Sequence, residues 1–306
     1  MGKAIAAASP AARRVFERAD AALGEALTEL CFEGPLEALT LTENTQPALV
    51  ATSSALVAAL RERYPALPEP AFAAGHSLGE YSALVAAGAL TLEDALRLCR
   101  VRGQAMQGVV PPGEGAMAAV MGMTPEAIAA LCEDAAGGEV LAPANFNGPG
   151  QTVIAGHAGA VERARALAVE RRAKAVPLKV SAPFHCALMR PAGARLAEEL
   201  AHVSVKTLAF PVIANVDAEP NLDASRVGDL LVRQVDAPVQ WVRTVERMAA
   251  AGVTLALEVG PGKVLAGLGK RITKSITVIG VSGPEDLERV GAALSGQPSP
   301  VEQCAP

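Results

Sequence analysis

The sequence predicts an α/β protein built in two unequal parts, and two stretches carry that prediction. In the first, a short apolar run over residues 71–74 enters Gly75-His76-Ser77-Leu78-Gly79. A helical stretch over 80–87 follows, closed by Gly88. Strand, sharp turn and helix around G-x-S-x-G make a nucleophile elbow on an α/β-hydrolase-like sheet. In the second, residues 113–181 read β-α-β-β-α-β, the ferredoxin-like order. We therefore expect an α/β-hydrolase-like large subdomain with a parallel sheet over residues 1–112 and 182–306. A ferredoxin-like small subdomain over 113–181 interrupts it.

Composition agrees with a folded, non-nucleic-acid protein. The chain has 306 residues, 51% of them apolar, and a net charge of −5. That length buries a large core, and the acidic balance argues against a nucleic-acid partner. The cysteines, Cys31, Cys99, Cys132, Cys186 and Cys304, are odd in number and form no C-x-x-C. They read as free thiols of a reducing compartment. Four histidines without ligand spacing give no metal site. No run is apolar enough for a membrane span, and the first residues lack a signal-peptide core. A soluble cytoplasmic protein is expected, and a monomer.

Along the chain, Ser9 caps a helix that Pro10 opens and that runs to about residue 23. A second helix is expected from Gln46-Pro47-Ala48 to residue 63, with Gln46 directly before a first-turn proline. At the elbow, the tight turn strains Ser77 and lifts its Oγ, and the flanking Gly75 and Gly79 read as sterically required. The Leu78 N–H is left at a helix N-terminus, free for a developing oxyanion. The plain alternative is a glycine-rich turn with an incidental serine.

Thr91 caps the next helix, whose apolar stripe is Leu92, Ala95, Leu96, Cys99 and Met106. Arg102 falls on that stripe, unlike Arg97 and Arg100. A core-facing arginine needs a partner, either a protein acid or an anionic ligand. In the insert, strands are expected over 116–121, 139–144, 151–155 and 173–180, with helices over 124–134 and 158–172. His157 sits at a strand-to-helix turn and reads as structural.

Ser77 needs a base. His76 is its sequence neighbour, with a side chain that should diverge, and His202 ends a charged helix. His185, in an apolar segment behind Pro183, is the base that remains; a satisfied buried histidine is the alternative. Beyond it, a strand over 210–216, helices over 225–235 and 241–250 and a strand over 255–259 are expected. Gly260-Pro261-Gly262-Lys263 lacks the spacing of a phosphate-binding loop. Lys263, Lys270, Arg271 and Lys274 form a basic face, either solvated or a docking face for an acidic carrier. Residues 297–306 read as a frayed tail.

Gly75-His76-Ser77-Leu78-Gly79-Glu80-Tyr81-Ser82-Ala83-Leu84 resembles the active-site signature of malonyl-CoA:acyl-carrier-protein transacylases and the acyltransferase domains of polyketide synthases. Leu98-Cys99-Arg100-Val101-Arg102-Gly103, the segment around Phe184-His185 and residues 258–265 resemble the same family, over nearly the whole chain. The resemblance implies a Ser77–His185 dyad with no carboxylate. The backbone carbonyl of Gln234 would orient His185, and the Leu78 N–H would serve the oxyanion. Arg102 would grip the malonyl carboxylate with its planar fork. It also implies that Phe184 excludes a branch methyl, by overpacking worth about 1–3 kcal/mol.

Gln46 and Asn145 resemble residues lining the family's cleft, although a helix cap and turn chemistry explain them equally well. The family's opening Gly-Gln-Gly-Ser-Gln, source of a second oxyanion N–H, has no copy here. We expect the working protein to start upstream of Met1; a chain without that motif should be a weak enzyme.

The implied activity is transfer of malonyl from malonyl-CoA to the phosphopantetheine thiol of an acyl carrier protein, in fatty-acid or polyketide synthesis, with no bound cofactor. A serine esterase or thioesterase, or an impaired carrier-binding protein, is the alternative.

Overall fold

The computed structural model describes residues 1–294; the expected tail at 297–306, with Cys304, lies outside the described residues. The chain begins with five helices: α1 (Lys3–Ala8), α2 (Pro10–Leu23), α3 (Leu27–Glu33), α4 (Leu36–Thr40) and α5 (Thr42–Arg63). Ser9 caps α2 as expected, its side chain accepting from the Ala12 N–H at 3.1 Å. The second expected helix starts four residues earlier than the Gln46-Pro47 signal, so Gln46 is not a cap and Pro47 lies inside α5. A proline there cannot donate to the carbonyl of Glu43. Arg100 supplies the missing donor, its Nη1 reaching that carbonyl at 2.7 Å.

The elbow follows as β1 (Ala73–Ala74) and α6 (Gly79–Ala86), then α7 (Leu92–Gly108), capped by Thr91. The insert contains β2 (Gly115–Met121), α8 (Pro125–Ala136), β3 (Leu141–Gly148), β4 (Gln151–His157), α9 (Ala158–Glu170) and β5 (Lys174–Pro177). Its four strands form one antiparallel sheet in the order β3-β4-β2-β5. The ferredoxin-like reading of this segment agrees with that order. Its helices bury Ile128, Leu131, Val161 and Ala164 against one face of the sheet. His157 accepts from the Val140 N–H through Nδ1 at 2.9 Å, which fits a structural role.

The chain returns through a single 3-10 turn, Ala187–Met189, to α10 (Arg190–Leu200), β6 (Val212–Ile213), β7 (Pro220–Asn221), α11 (Ala224–Asp236), α12 (Trp241–Ala250), β8 (Leu255–Val259), α13 (Val264–Ile272), β9 (Thr277–Val281) and α14 (Glu285–Leu294). The large sheet is in two pieces among the described residues, where one parallel sheet was expected. β1 pairs parallel with β6, which carries the short antiparallel β7; β8 pairs parallel with β9. Both pieces lie between the same two apolar layers. Ala73, Leu257, Val259 and Ile279 face the main core, and Ala74, Ala256 and Val278 face the cluster around Val239, Trp241 and Leu268. Helices α2, α5 and α7 supply much of that main core, where each fully buried leucine, such as Leu56 or Leu96, contributes about 1.5–3 kcal/mol.

Candidate active site

At the elbow, Ser77 has φ 52°, the strained left-handed conformation the motif implies. Gly75 is required because a Cβ there would lie 2.0 Å from the backbone of Gly79. Gly79 itself is not: a Cβ there would meet nothing within 4 Å. The expectation that both glycines are sterically forced is therefore half right, since it is Gly79's backbone, not its side, that crowds the turn. The Leu78 N–H opens α6 and makes no hydrogen bond among the described residues, so it remains available to an anion.

Asn215, just past β6, holds the elbow from the other side. Its Oδ1 accepts from the Ser77 N–H at 2.6 Å, and its Nδ2 donates to the Gly75 carbonyl at 2.7 Å.

His185 meets Ser77 from the segment before the 3-10 turn. Its Nε2 lies 2.7 Å from Ser77 Oγ, and its Nδ1 lies 2.9 Å from the Gln234 backbone oxygen. A carbonyl only accepts, so Nδ1 carries the proton and Nε2 presents its lone pair to the serine hydroxyl. His185 is 4% exposed and also has a positive φ, 60°. Burial, and then the positive charge of Arg102, push its pKa down to about 3, so the imidazole is neutral and ready to accept a proton. No carboxylate bonds to His185 among the described residues.

Arg102 is 2% exposed on α7, as its place on the apolar stripe predicts. Its Nη2 donates to Ser77 Oγ at 2.8 Å and to Gln234 Oε1 at 3.0 Å, and its Nη1 donates to Gln46 Oε1 at 2.7 Å. Among the described residues no ion pair joins Arg102 to a protein acid, which answers the alternative left open by the sequence. The guanidinium instead lies over the Tyr81 ring, 5.7 Å from its centre. Gln46 thus reaches the site from inside α5, as a partner of Arg102.

Gln234, fully buried on α11, does more than lend its carbonyl. Its side-chain Nε2 donates to the Ser77 carbonyl at 2.9 Å and to Glu80 Oε2 at 2.7 Å. Phe184 is half-buried beside His185, packed between the main core and the apolar cluster under β3 and β4. Asn145 is 7% exposed; its backbone bridges to Val239, and its side chain makes no hydrogen bond to Ser77, His185 or Arg102. Its neighbour Asn147 reaches the elbow instead, accepting from His76 Nε2 at 2.8 Å. That contact confirms that His76 diverges from Ser77, and Trp241 packs beside its ring.

Sequence reading missed Glu80, Asn215 and the side chain of Gln234. Glu80 was concealed because an acid in a first helical turn is explained by the helix dipole. For Asn215 the signal was a lone asparagine ending the apolar run Val212-Ile213-Ala214. Among the described residues there is no cluster of metal-binding side chains, and no helix is long and apolar enough to cross a membrane.

A half-buried serine bonded to a buried histidine, both beside a guanidinium that pairs with no acid among the described residues, defines an acyl-transfer enzyme on this fold. The chain belongs to the acyl transferase domain family, whose model matches residues 1–296. It is similar to the malonyl CoA-acyl carrier protein transacylase of Escherichia coli strain K12, with 50% identity over 284 residues, 92% of this chain and 91% of that protein. The Bacillus subtilis strain 168 protein of the same name is 46% identical over 290 residues, 94% of this chain and 90% of that one.

Two solved structures are similar throughout. The acyl carrier protein S-malonyltransferase of Vibrio cholerae O1 biovar eltor has a TM-score of 0.91 and 47% identity, covering 95% of this chain and 94% of that one. A malonyl-transacylase in complex with its type II PKS acyl-carrier protein has a TM-score of 0.92 and 42% identity, covering 97% of this chain and 95% of that one.

Proposed function

We propose that this protein transfers malonyl groups from malonyl-CoA to the phosphopantetheine thiol of an acyl carrier protein, through a malonyl ester on Ser77. The observation that carries the reading is Arg102: a buried guanidinium that pairs with no acid among the described residues, 2.8 Å from the nucleophile. Burying such a charge is costly, and its place suits a ligand carboxylate. In a malonyl ester on Ser77, the free carboxylate lies two carbons from the ester carbonyl, which brings it beside Oγ.

In the first half-reaction His185 Nε2 takes the Ser77 proton while Oγ attacks the thioester carbonyl. The Leu78 N–H binds the oxyanion. Collapse expels the CoA thiolate, which leaves with the proton from His185. In the second half the carrier's thiol gives its proton to His185 and attacks the ester carbonyl; Ser77 leaves and recovers the proton. The Gln234 carbonyl holds His185 in one tautomer throughout, and bonds the imidazolium that forms between the two transfers.

Phe184 is assigned to exclusion of a branch methyl, and Gln46 to holding Arg102. Asn145 would line the cleft that admits the carrier's arm, between a large subdomain of residues 1–112 and 182–306 and a small one of residues 113–181. A cytoplasmic location fits these substrates. Incubation with malonyl-CoA and holo-carrier tests the function: malonyl-carrier should form faster than free malonate. Faster hydrolysis would instead identify a thioesterase.

A further inference from the structure

Glu80 is a buried acid for which the reaction above has no task. It is 2% exposed in the first turn of α6. Its Oε2 accepts from the Asn215 N–H at 3.0 Å and from Gln234 Nε2 at 2.7 Å. A favourable helix dipole explains an acid at this position, but it does not explain a bond across the site to α11.

That bond gives the Gln234 amide a direction. Nε2 has two acceptors, the Glu80 carboxylate and the Ser77 carbonyl, while Oε1 has the Arg102 guanidinium as donor. Turned over, the amide would set oxygen against both acceptors and its NH2 against the guanidinium. Of the two acceptors Glu80 makes the shorter contact, 2.7 Å against 2.9 Å to the Ser77 carbonyl.

We propose that Glu80 is a positioning residue for malonyl selection: through the Gln234 amide it fixes how Arg102 presents its guanidinium beside Ser77. The inference rests on the malonyl-transfer function proposed above. Glu80 does not touch the acyl group. It acts one amide away from Arg102, holding Gln234 Oε1 where it accepts from Nη2, so that the guanidinium keeps one orientation beside Ser77.

Burial pushes the Glu80 carboxyl up to about 7, while Gln234, the Asn215 N–H and Arg102 act to lower it and Asp217 to raise it. Either protonation state keeps an oxygen able to accept from Gln234 Nε2, so the geometry does not depend on the titration.

The test compares acylation of Ser77 by malonyl-CoA and by acetyl-CoA in Glu80→Leu and Glu80→Gln. The leucine leaves Gln234 Nε2 without its side-chain acceptor. Malonyl kcat/KM should fall about thirtyfold, mostly through KM, and acetyl less than about threefold. The glutamine offers a carbonyl in the same place and should keep malonyl selectivity within about threefold of wild type. If the leucine variant does not fold, Glu80→Asp, too short to reach Gln234, replaces it with the same expected split. Malonyl and acetyl rates falling in parallel, a glutamine variant as unselective as leucine, or full selectivity in every variant would each overturn the inference alone. A wild type that takes no malonyl group would overturn the function and this inference together.

Discussion

Arg102 and Ser77 are in direct contact, Nη2 to Oγ at 2.8 Å, before any substrate arrives. The charge proposed to choose the acyl group and the atom proposed to carry it therefore share one hydrogen bond. A substrate carboxylate that draws the guanidinium towards itself changes the environment of Oγ in the same movement. Selection and attack are coupled at this point, and the first prediction follows from it.

Arg102→Ala should lower malonyl kcat/KM by a factor on the order of 10²–10³, about 3–4 kcal/mol, the scale of losing one partner of a buried ion pair. Acetyl, with no carboxylate to strand, should lose far less. Competition between the two thioesters measures the ratio; an unchanged preference for malonyl would remove Arg102 from its role.

His185 should remain neutral across the working range. Its pKa is lowered from the ordinary imidazole value of 6.5 to about 3, chiefly by burial. The ring resonances of His185 in 15N-labelled protein should keep the Nδ1–H tautomer from about pH 5 to 8. The sign for stability follows. Between the two pKa values the unfolded chain binds the proton and the folded one does not. This residue's contribution is thus complete above about 6.5 and lost as pH falls towards 3. Titration of His185 near 6.5 would contradict the tight packing around it.

Asn215→Ala should loosen the elbow. It removes the acceptor of the Ser77 N–H and the donor to the Gly75 carbonyl. We expect a loss of about 1–3 kcal/mol in denaturant unfolding and a lower rate of Ser77 acylation. Unchanged stability and rate would show that the turn holds itself.

The two elbow glycines should behave differently. Gly75→Ala drives a Cβ into the Gly79 backbone and should destabilise by more than about 3 kcal/mol or prevent folding. Gly79→Ala meets open space at the start of α6 and should leave the melting temperature equal or slightly higher, since alanine favours a helix by about 1 kcal/mol over glycine. Equal effects would mean that the turn geometry differs from that described.

Much of this site was legible in the sequence because its principal groups have local signatures. Ser77 sits in a strand-turn-helix pattern, Arg102 breaks an apolar stripe, and His185 remains when the other histidines are set aside. The supports were not legible. Gln234 Nε2 and Glu80 lie 154 positions apart, and Asn215 lies 138 from Ser77, so nothing in either neighbourhood announces the bond. Pro47 misled the reading of α5: it looked like a first-turn residue, but Arg100, from another helix, compensates the missing bond and lets α5 begin earlier. The division of the large sheet into two pieces was hidden as well, because short apolar runs specify strands but not which strands pair.

The central claim is that Ser77 itself carries the malonyl group. Intact-mass spectrometry after brief incubation with malonyl-CoA tests it most directly. The wild type should gain the mass of one malonyl group, which disappears when holo-carrier is added, and Ser77→Ala should gain nothing. A wild type that stays unmodified while still loading the carrier, or a Ser77→Ala variant that is modified equally, would contradict the account.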